Sequence, residues 1–294
     1  MTEDMSMTDE NNFPVEFKRL VLLWQDIKTG FFDGRDSSYT EGYESGLRTA
    51  SWAWVPEIQK VLPGEVDRKG DVLLGPLFCS TENPWPYGDG QPMIPLLQID
   101  LANATRLGGI DLGNGLLQVF CPVKDKLGQE IYKRVIERES VTSEALTDPP
   151  SFSDDIKGFA SVGWAQTNSS DRRLYGRDCL QITGYNEKRF TLWMPSPLAD
   201  EYDVAHVDAD LRAKIQEFDE IIARNSEAWS PGGFHLFGTF YPIQYYPADR
   251  DNVFFTLESQ HGFNFGDGQA QIFYKFYKEH PEWGACFSFD WSCY

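Results

Sequence analysis

Two stretches of this chain, one in each half, carry the same short pattern, and that repeat limits the fold more than any other feature. Gly113-Asn114-Gly115-Leu116-Leu117-Gln118-Val119-Phe120 and Gly266-Asp267-Gly268-Gln269-Ala270-Gln271-Ile272-Phe273 both read G-[N/D]-G-x-x-Q-[V/I]-F. Each follows an apolar strand-like run ending in an acid, Asp100 in one case and Glu258 in the other. Asn-Gly and Asp-Gly supply the positive φ angles that tight hairpin turns require. The alternation after the turn puts Gln118 and Phe120 on one face of a strand and Val119 on the other. A duplicated hairpin unit, one per half, is therefore expected. The tetrapeptide identity of Gly88-Asp89-Gly90-Gln91 with Gly266-Asp267-Gly268-Gln269 lies in a proline-rich loop and reads as coincidence.

The rest of the chain reads around those units. Residues 1–12 have the composition of a disordered acidic tail, and 13–294 reads as one domain with pseudo-repeats over roughly 70–140 and 230–294 and a connecting segment, 141–229. Phe17, Leu20, Val21 and Trp24 predict a helix over Val15–Thr29, stopped by Gly30. Phe31–Gly70 carries no clear period. Pro76, Pro84, Pro86, Pro92 and Pro95 predict an extended, looped segment whose edges do not pair. Strands are expected at Leu96–Leu101, Leu116–Pro122, Phe159–Ala165, Leu180–Ile182 and Phe190–Trp193. Ile131, Val135 and Ile136 suggest a short helix over Leu127–Glu139, and Thr142–Asp155 reads as a linker or surface loop. Leu211, Ile215, Phe218 and Ile222 predict a helix over Asp210–Arg224, capped by Asp208 or Asp210. The remainder, Phe234–Tyr294, reads as aromatic-rich strand and turn, which suits a composition with 15% aromatics.

Charge sets the partner class. Twenty-six Lys and Arg against 45 Asp and Glu give a net charge of −19, which repels nucleic acid and anionic membrane and attracts cationic partners. The start lacks the basic and apolar regions of a signal peptide, no run approaches the ~20 apolar residues of a membrane span, and the five irregularly spaced cysteines contain no CxxC. A cytoplasmic protein with reduced thiols is expected.

The chain carries few marks of catalytic chemistry. His206, His235, His261 and His280 form no HxH or HxxxH pair, and the GDG turns lack the alternating acids of a calcium loop. No GxSxG elbow, P-loop or strand-linked GxGxxG occurs, so no metal and no cofactor is expected. The acidic cluster says more. Asp200, Glu201, Asp203, Asp208, Asp210, Glu217, Asp219 and Glu220 face only Arg212 and Lys214, leaving −6 over 21 residues. It reads either as a solvated helix face or as a docking surface for a basic protein, in which clustered carboxylates raise the association rate. The candidate contact residues are Asp200, Glu201, Tyr202, Asp203, Asp208 and Asp210, with Trp229 as a second aromatic near the face.

Four motifs in order carry a family likeness: Trp85-Pro86 with Asp89-Gly90-x-Pro92; Leu96-Leu97-Gln98-Ile99-Asp100-Leu101 with Gly115 to Phe120; Phe265 to Tyr274; and Trp291-Ser292-Cys293-Tyr294. They resemble the YwqG-like family, a bacterial domain of unknown function, over roughly residues 70–294. The sequence departs from its glycine motifs at Gly75-Pro76-Leu77-Phe78 and at Phe237-Gly238-Thr239-Phe240-Tyr241-Pro242, and residues before 70 find no counterpart. The resemblance implies an α+β fold of mixed and antiparallel sheet with an internal duplication and a few flanking helices. It also implies a role beside interbacterial toxins, type VI secretion effectors among them, as a cognate immunity protein. Such a protein binds a cationic toxin, a nuclease above all, by occupying its phosphate-binding cleft. The alternatives are an enzyme with a site between the repeats, built on Asp100, Glu258 or Asp267, and an intracellular scaffold or stress-related protein with no toxin partner.

Overall fold

In the computed structural model, residues 13–34, 40–123, 131–152, 179–230, 232–239, 252–259, 261, 263, 265 and 268–292 are described. The acidic tail, the strand expected at Phe159–Ala165, Asp267 and the last two residues lie outside them. The described residues contain five α-helices and twelve strands, an α+β fold. They divide into two compact units, the first made from Met1–Ala53, Arg189–Pro231 and Gly238–Tyr241, the second from Trp54–Lys188, Gly232–Phe237 and Pro242–Tyr294.

The first unit is built on two long amphipathic helices, α1 (Val15–Phe31) and a C-terminal helix at Ala209–Asn225. Phe17, Leu20, Leu23, Trp24, Ile27 and Phe31 form one stripe of α1, and Leu211, Ile215, Phe218 and Ile221 form the facing stripe; all are buried in one cluster. Gly30 does not stop α1. A Cβ there would meet the Leu211 side chain at 3.0 Å, so the glycine lets the helices approach while α1 runs on to Phe31. Helix α2 (Glu41–Thr49), which no sequence period announces, brings Tyr43 onto Trp24 with ring centroids 5.2 Å apart. Its Gly46 passes against backbone, where a Cβ would lie 2.2 Å from Trp193 O.

Most of the large sheet belongs to the second unit, while residues 51–53 of its first strand and 189–191 of its eighth belong to the first unit. The strands of this sheet are β1 (Ser51–Val61), β2 (Val72–Leu73), β5 (Ile94–Asp100), β6 (Gly115–Cys121), β7 (Tyr132–Glu137), β8 (Cys179–Thr191), β9 (His235–Phe237), β10 (Val253–Glu258), β11 (Gln269–Phe276) and β12 (Ala285–Ser292), in the order β12-β11-β10-β9-β1-β8-β2-β5-β6-β7. That order reads as two matching halves: β7 answers β12, β6 answers β11, β5 answers β10, β2 answers β9 and β8 answers β1. The duplication holds in detail. Gln98 pairs Gln118 and Thr256 pairs Gln271, and the register slips between Pro95 and Leu97 in one half and between Val253 and Phe255 in the other. Leu74 (φ 48°) and Phe237 (φ 61°), each beside a glycine at the end of β2 or β9, share the left-handed conformation that non-glycine residues rarely adopt.

Three sequence expectations fail here for physical reasons. Tyr132–Glu137 is a strand, not part of a helix, because it pairs residue for residue with β6 and buries Ile136 while Val135 faces out. The Asn114-Gly115 pair is not a two-residue hairpin turn: helix α3 (Leu101–Gly108) stands between β5 and β6, and Gly115 is required by close approach, since a Cβ would lie 2.3 Å from Ile136 O. The proline-rich segment does pair. Its β3 (Tyr87–Gly88) and β4 (Gln91–Pro92) form a small hairpin around Asp89 (φ 51°) and Gly90 (φ 73°), the primed geometry that tight turns favour. Residues 142–152 run as a loop, as expected, and Leu146 ties it down by bridging Ser80 and packing with Ala145 against Phe78, Leu116 and Ile136.

Candidate functional site

The acidic cluster folds as a short helix, α4 (Leu198–Glu201), an irregular turn, and α5 (Ala209–Asn225), all in the first unit. Two of its carboxylates are structural. Asp208 caps α5 by accepting the Leu211 N–H at 2.9 Å. Asp219, half-buried, accepts the N–H groups of Leu198 and Ala199 and so fixes the start of α4; burial pushes its carboxyl up from the usual range. Glu217 holds Arg19 of α1 through two 2.7 Å bonds, and the guanidinium keeps that carboxyl below its ordinary value.

The candidate contact residues divide accordingly. Asp200, Glu201, Asp203, Asp208 and Asp210 are all exposed. Asp210 shares Lys214 with Asp26, at 3.0 and 3.1 Å, and Asp203 accepts the Ala205 N–H and lies 3.3 Å from His206 Nε2. Arg212 spends its guanidinium on the carbonyls of Ala205 and Val207. Asp200 and Glu201 form no ion pair among the described residues. Tyr202 is half-buried, with its ring 5.2 Å from Phe32 and 5.9 Å from Phe31, so it anchors the face to the core while leaving an edge outside. Trp229 belongs to the core of this unit. The result is a carboxylate-rich surface whose own arginine, Arg212, is occupied by backbone carbonyls.

The acids considered for an enzyme are placed otherwise. Asp100 caps α3 through the Ala102 N–H and lies 3.3 Å from Arg138, and Glu258 accepts the Gly233 N–H. Four strands stand between β5 and β10 in the sheet, and each carboxylate is engaged locally. Asp267 lies outside the described residues. Among those residues no group of three metal-ligating side chains gathers.

A carboxylate that the sequence did not single out has the most unusual setting. Asp71, just before β2 and 7% exposed, accepts the Asp100 N–H at 2.6 Å and the Tyr185 hydroxyl at 2.9 Å. Burial pushes its carboxyl up to about 6, and the same desolvation raises Tyr185 well above the ordinary phenol value. Nearby, Gln98 and Gln118 close a fully buried amide network. Gln118 donates to Phe78 O and to Gln98 Oε1, Gln98 donates to the carbonyls of Arg68 and Gly70, and Arg134 donates to Gln118 Oε1. Both arrangements knit the sheet and satisfy their own polar atoms, which makes them structural devices.

No family model matches the chain, and no curated protein matches it. No helix among the described residues is long and apolar enough to cross a membrane.

Proposed function

We propose that this chain is a binding protein that neutralises a basic protein partner, a cognate immunity protein for a cationic toxin of the nuclease type. The observation that carries this reading is the exposed run Asp200, Glu201, Asp203, Asp208 and Asp210 on a backbone fixed by the Asp208 and Asp219 caps. Charge held on a rigid frame steers a cationic partner without the ordering cost of a flexible acidic tail. The net charge of −19 extends the same attraction over the whole molecule. The ordered motifs that resemble those of the YwqG-like family support the toxin-partner class.

The test is a pull-down of the tagged chain from its own cells at low and high salt, with mass-spectrometric identification of what is retained. One basic protein in stoichiometric amount, with an on-rate that falls as salt rises, is the expected result. The combination Asp200→Lys, Glu201→Lys, Asp203→Lys and Asp210→Lys with Asp208→Asn, which keeps the cap, should slow association roughly ten- to a thousandfold, the range electrostatic steering supplies. Retention of nothing basic at either salt would end this reading.

A further inference from the structure

The turn joining β11 to β12 carries a second surface that the acidic face does not account for. Phe276, Tyr277 and Trp283 are exposed at 44%, 39% and 55%, three large apolar side chains within eight residues. They are organised rather than scattered. The His280 imidazole lies flat on the Trp283 indole, with centroids 4.0 Å apart and planes within 6°, and Tyr277 meets Trp283 edge-on at 5.6 Å. A short 3-10 turn, Pro281–Trp283, presents the indole, and Gly284 (φ 62°) returns the chain into β12. Tyr277, just past β11, already holds a cation from that strand: Lys275 Nζ lies 5.3 Å from its centroid. Glu282, bonded to His280 Nδ1 at 3.1 Å, stands beside the indole with an exposed carboxylate.

We infer that this tip is an aromatic anchor for an arginine side chain of a basic protein partner. Exposed Trp and Tyr are the residues that dominate interface energetics. On a chain of net charge −19 the long-range attraction selects cations, and the electron-rich ring faces select among them. A planar guanidinium is able both to stack on an indole and to pair with a neighbouring carboxylate such as Glu282. A lysine ammonium, compact and strongly hydrated, gains less from the ring. The inference rests on the binding-protein reading for its partner class and adds an anchor to it.

The test uses the full chain and two capped peptides of equal charge, hexa-arginine and hexa-lysine, titrated at fixed ionic strength. Indole N–H resonances are followed by NMR, and Trp283→Phe assigns the Trp283 signal. Hexa-arginine should bind roughly tenfold tighter than hexa-lysine, within the range for a cation–π contact, and should shift the Trp283 resonance. Trp283→Ala should bring that ratio to within about twofold, and Trp283→Phe should retain part of it. Neutralising Asp200, Glu201, Asp203 and Asp210 as Asn or Gln should weaken both peptides equally and leave the ratio standing. Equal binding of the two peptides by the wild-type chain, or a ratio unchanged in Trp283→Ala, would overturn the anchor. If the neutralised face binds both peptides as before while the ratio still depends on Trp283, the acidic-face reading fails and the anchor survives.

Discussion

Replacing Asp71 with Asn tests how this sheet pays for a buried carboxylate. In the folded chain the Asp71 carboxyl is raised from 3.8 to about 6, mainly by burial, with the nearby Asp100 charge adding to the shift. A carboxyl raised on folding binds its proton more readily in the folded chain, so acidification stabilises. The benefit is absent well above pH 6, grows as pH falls through that value, and is complete below the unfolded value near 3.9. A shift of this size corresponds to roughly 3 kcal/mol in full and about 1.4 kcal/mol between pH 8 and pH 5. Asn keeps an acceptor for the Asp100 N–H and offers a donor to the Tyr185 oxygen, but it carries no charge to desolvate. Asp71→Asn should therefore match or exceed wild-type stability at pH 8. It should lose that advantage, by about 1.4 kcal/mol, as pH falls to 5. Urea denaturation of both proteins at pH 5, 6, 7 and 8 measures the difference directly, and titrations common to both cancel. A stability difference that stays flat across that range would refute the raised carboxyl. A wild-type protein that loses ground to the variant on acidification would show that the shift runs the other way.

Three further outcomes follow from the packing. Phe218, fully buried between α1 and α5, should cost about 3–5 kcal/mol as Phe218→Ala, read by chemical denaturation of the first unit's helical signal. Gln118→Met keeps the volume but removes the Gln118 donor to the Phe78 carbonyl and the acceptor of Arg134 Nε, whose guanidinium keeps the carbonyls of Pro84 and Asn83; a loss of roughly 1–3 kcal/mol is expected, and a neutral result would show that the amide network contributes nothing. Gly115→Ala forces a methyl toward Ile136 O and should cost on the order of 1–3 kcal/mol, with faster hydrogen exchange confined to the β6–β7 pairing.

Local pattern was enough wherever one element's own residues decide its conformation. The repeat around Gln118 and Gln271 was legible because matching strands need matching residue types at matching positions, and the structure returns it as two halves of one sheet with the same slip in register. Helix α5 and its Asp208 cap were legible for the same reason, and the stripe takes in Ile221, fully in the core, as well as the expected Ile222, which packs against it. Misreadings arose where a distant partner overrides local preference. Ile131, Val135 and Ile136 have helical spacing, yet β6 offers a ladder of backbone partners that makes Tyr132–Glu137 a strand. Gly30 resembles a helix stop until Leu211 is seen to need its space. The Asp71–Tyr185 bond joins residues 114 positions apart. The −19 charge and the acidic run were written in the sequence, since charge is additive along a chain. Which of those acids are exposed, and which are spent as caps or ion pairs, was decided only by tertiary structure, because a carboxylate's availability depends on the donors that folding brings to it.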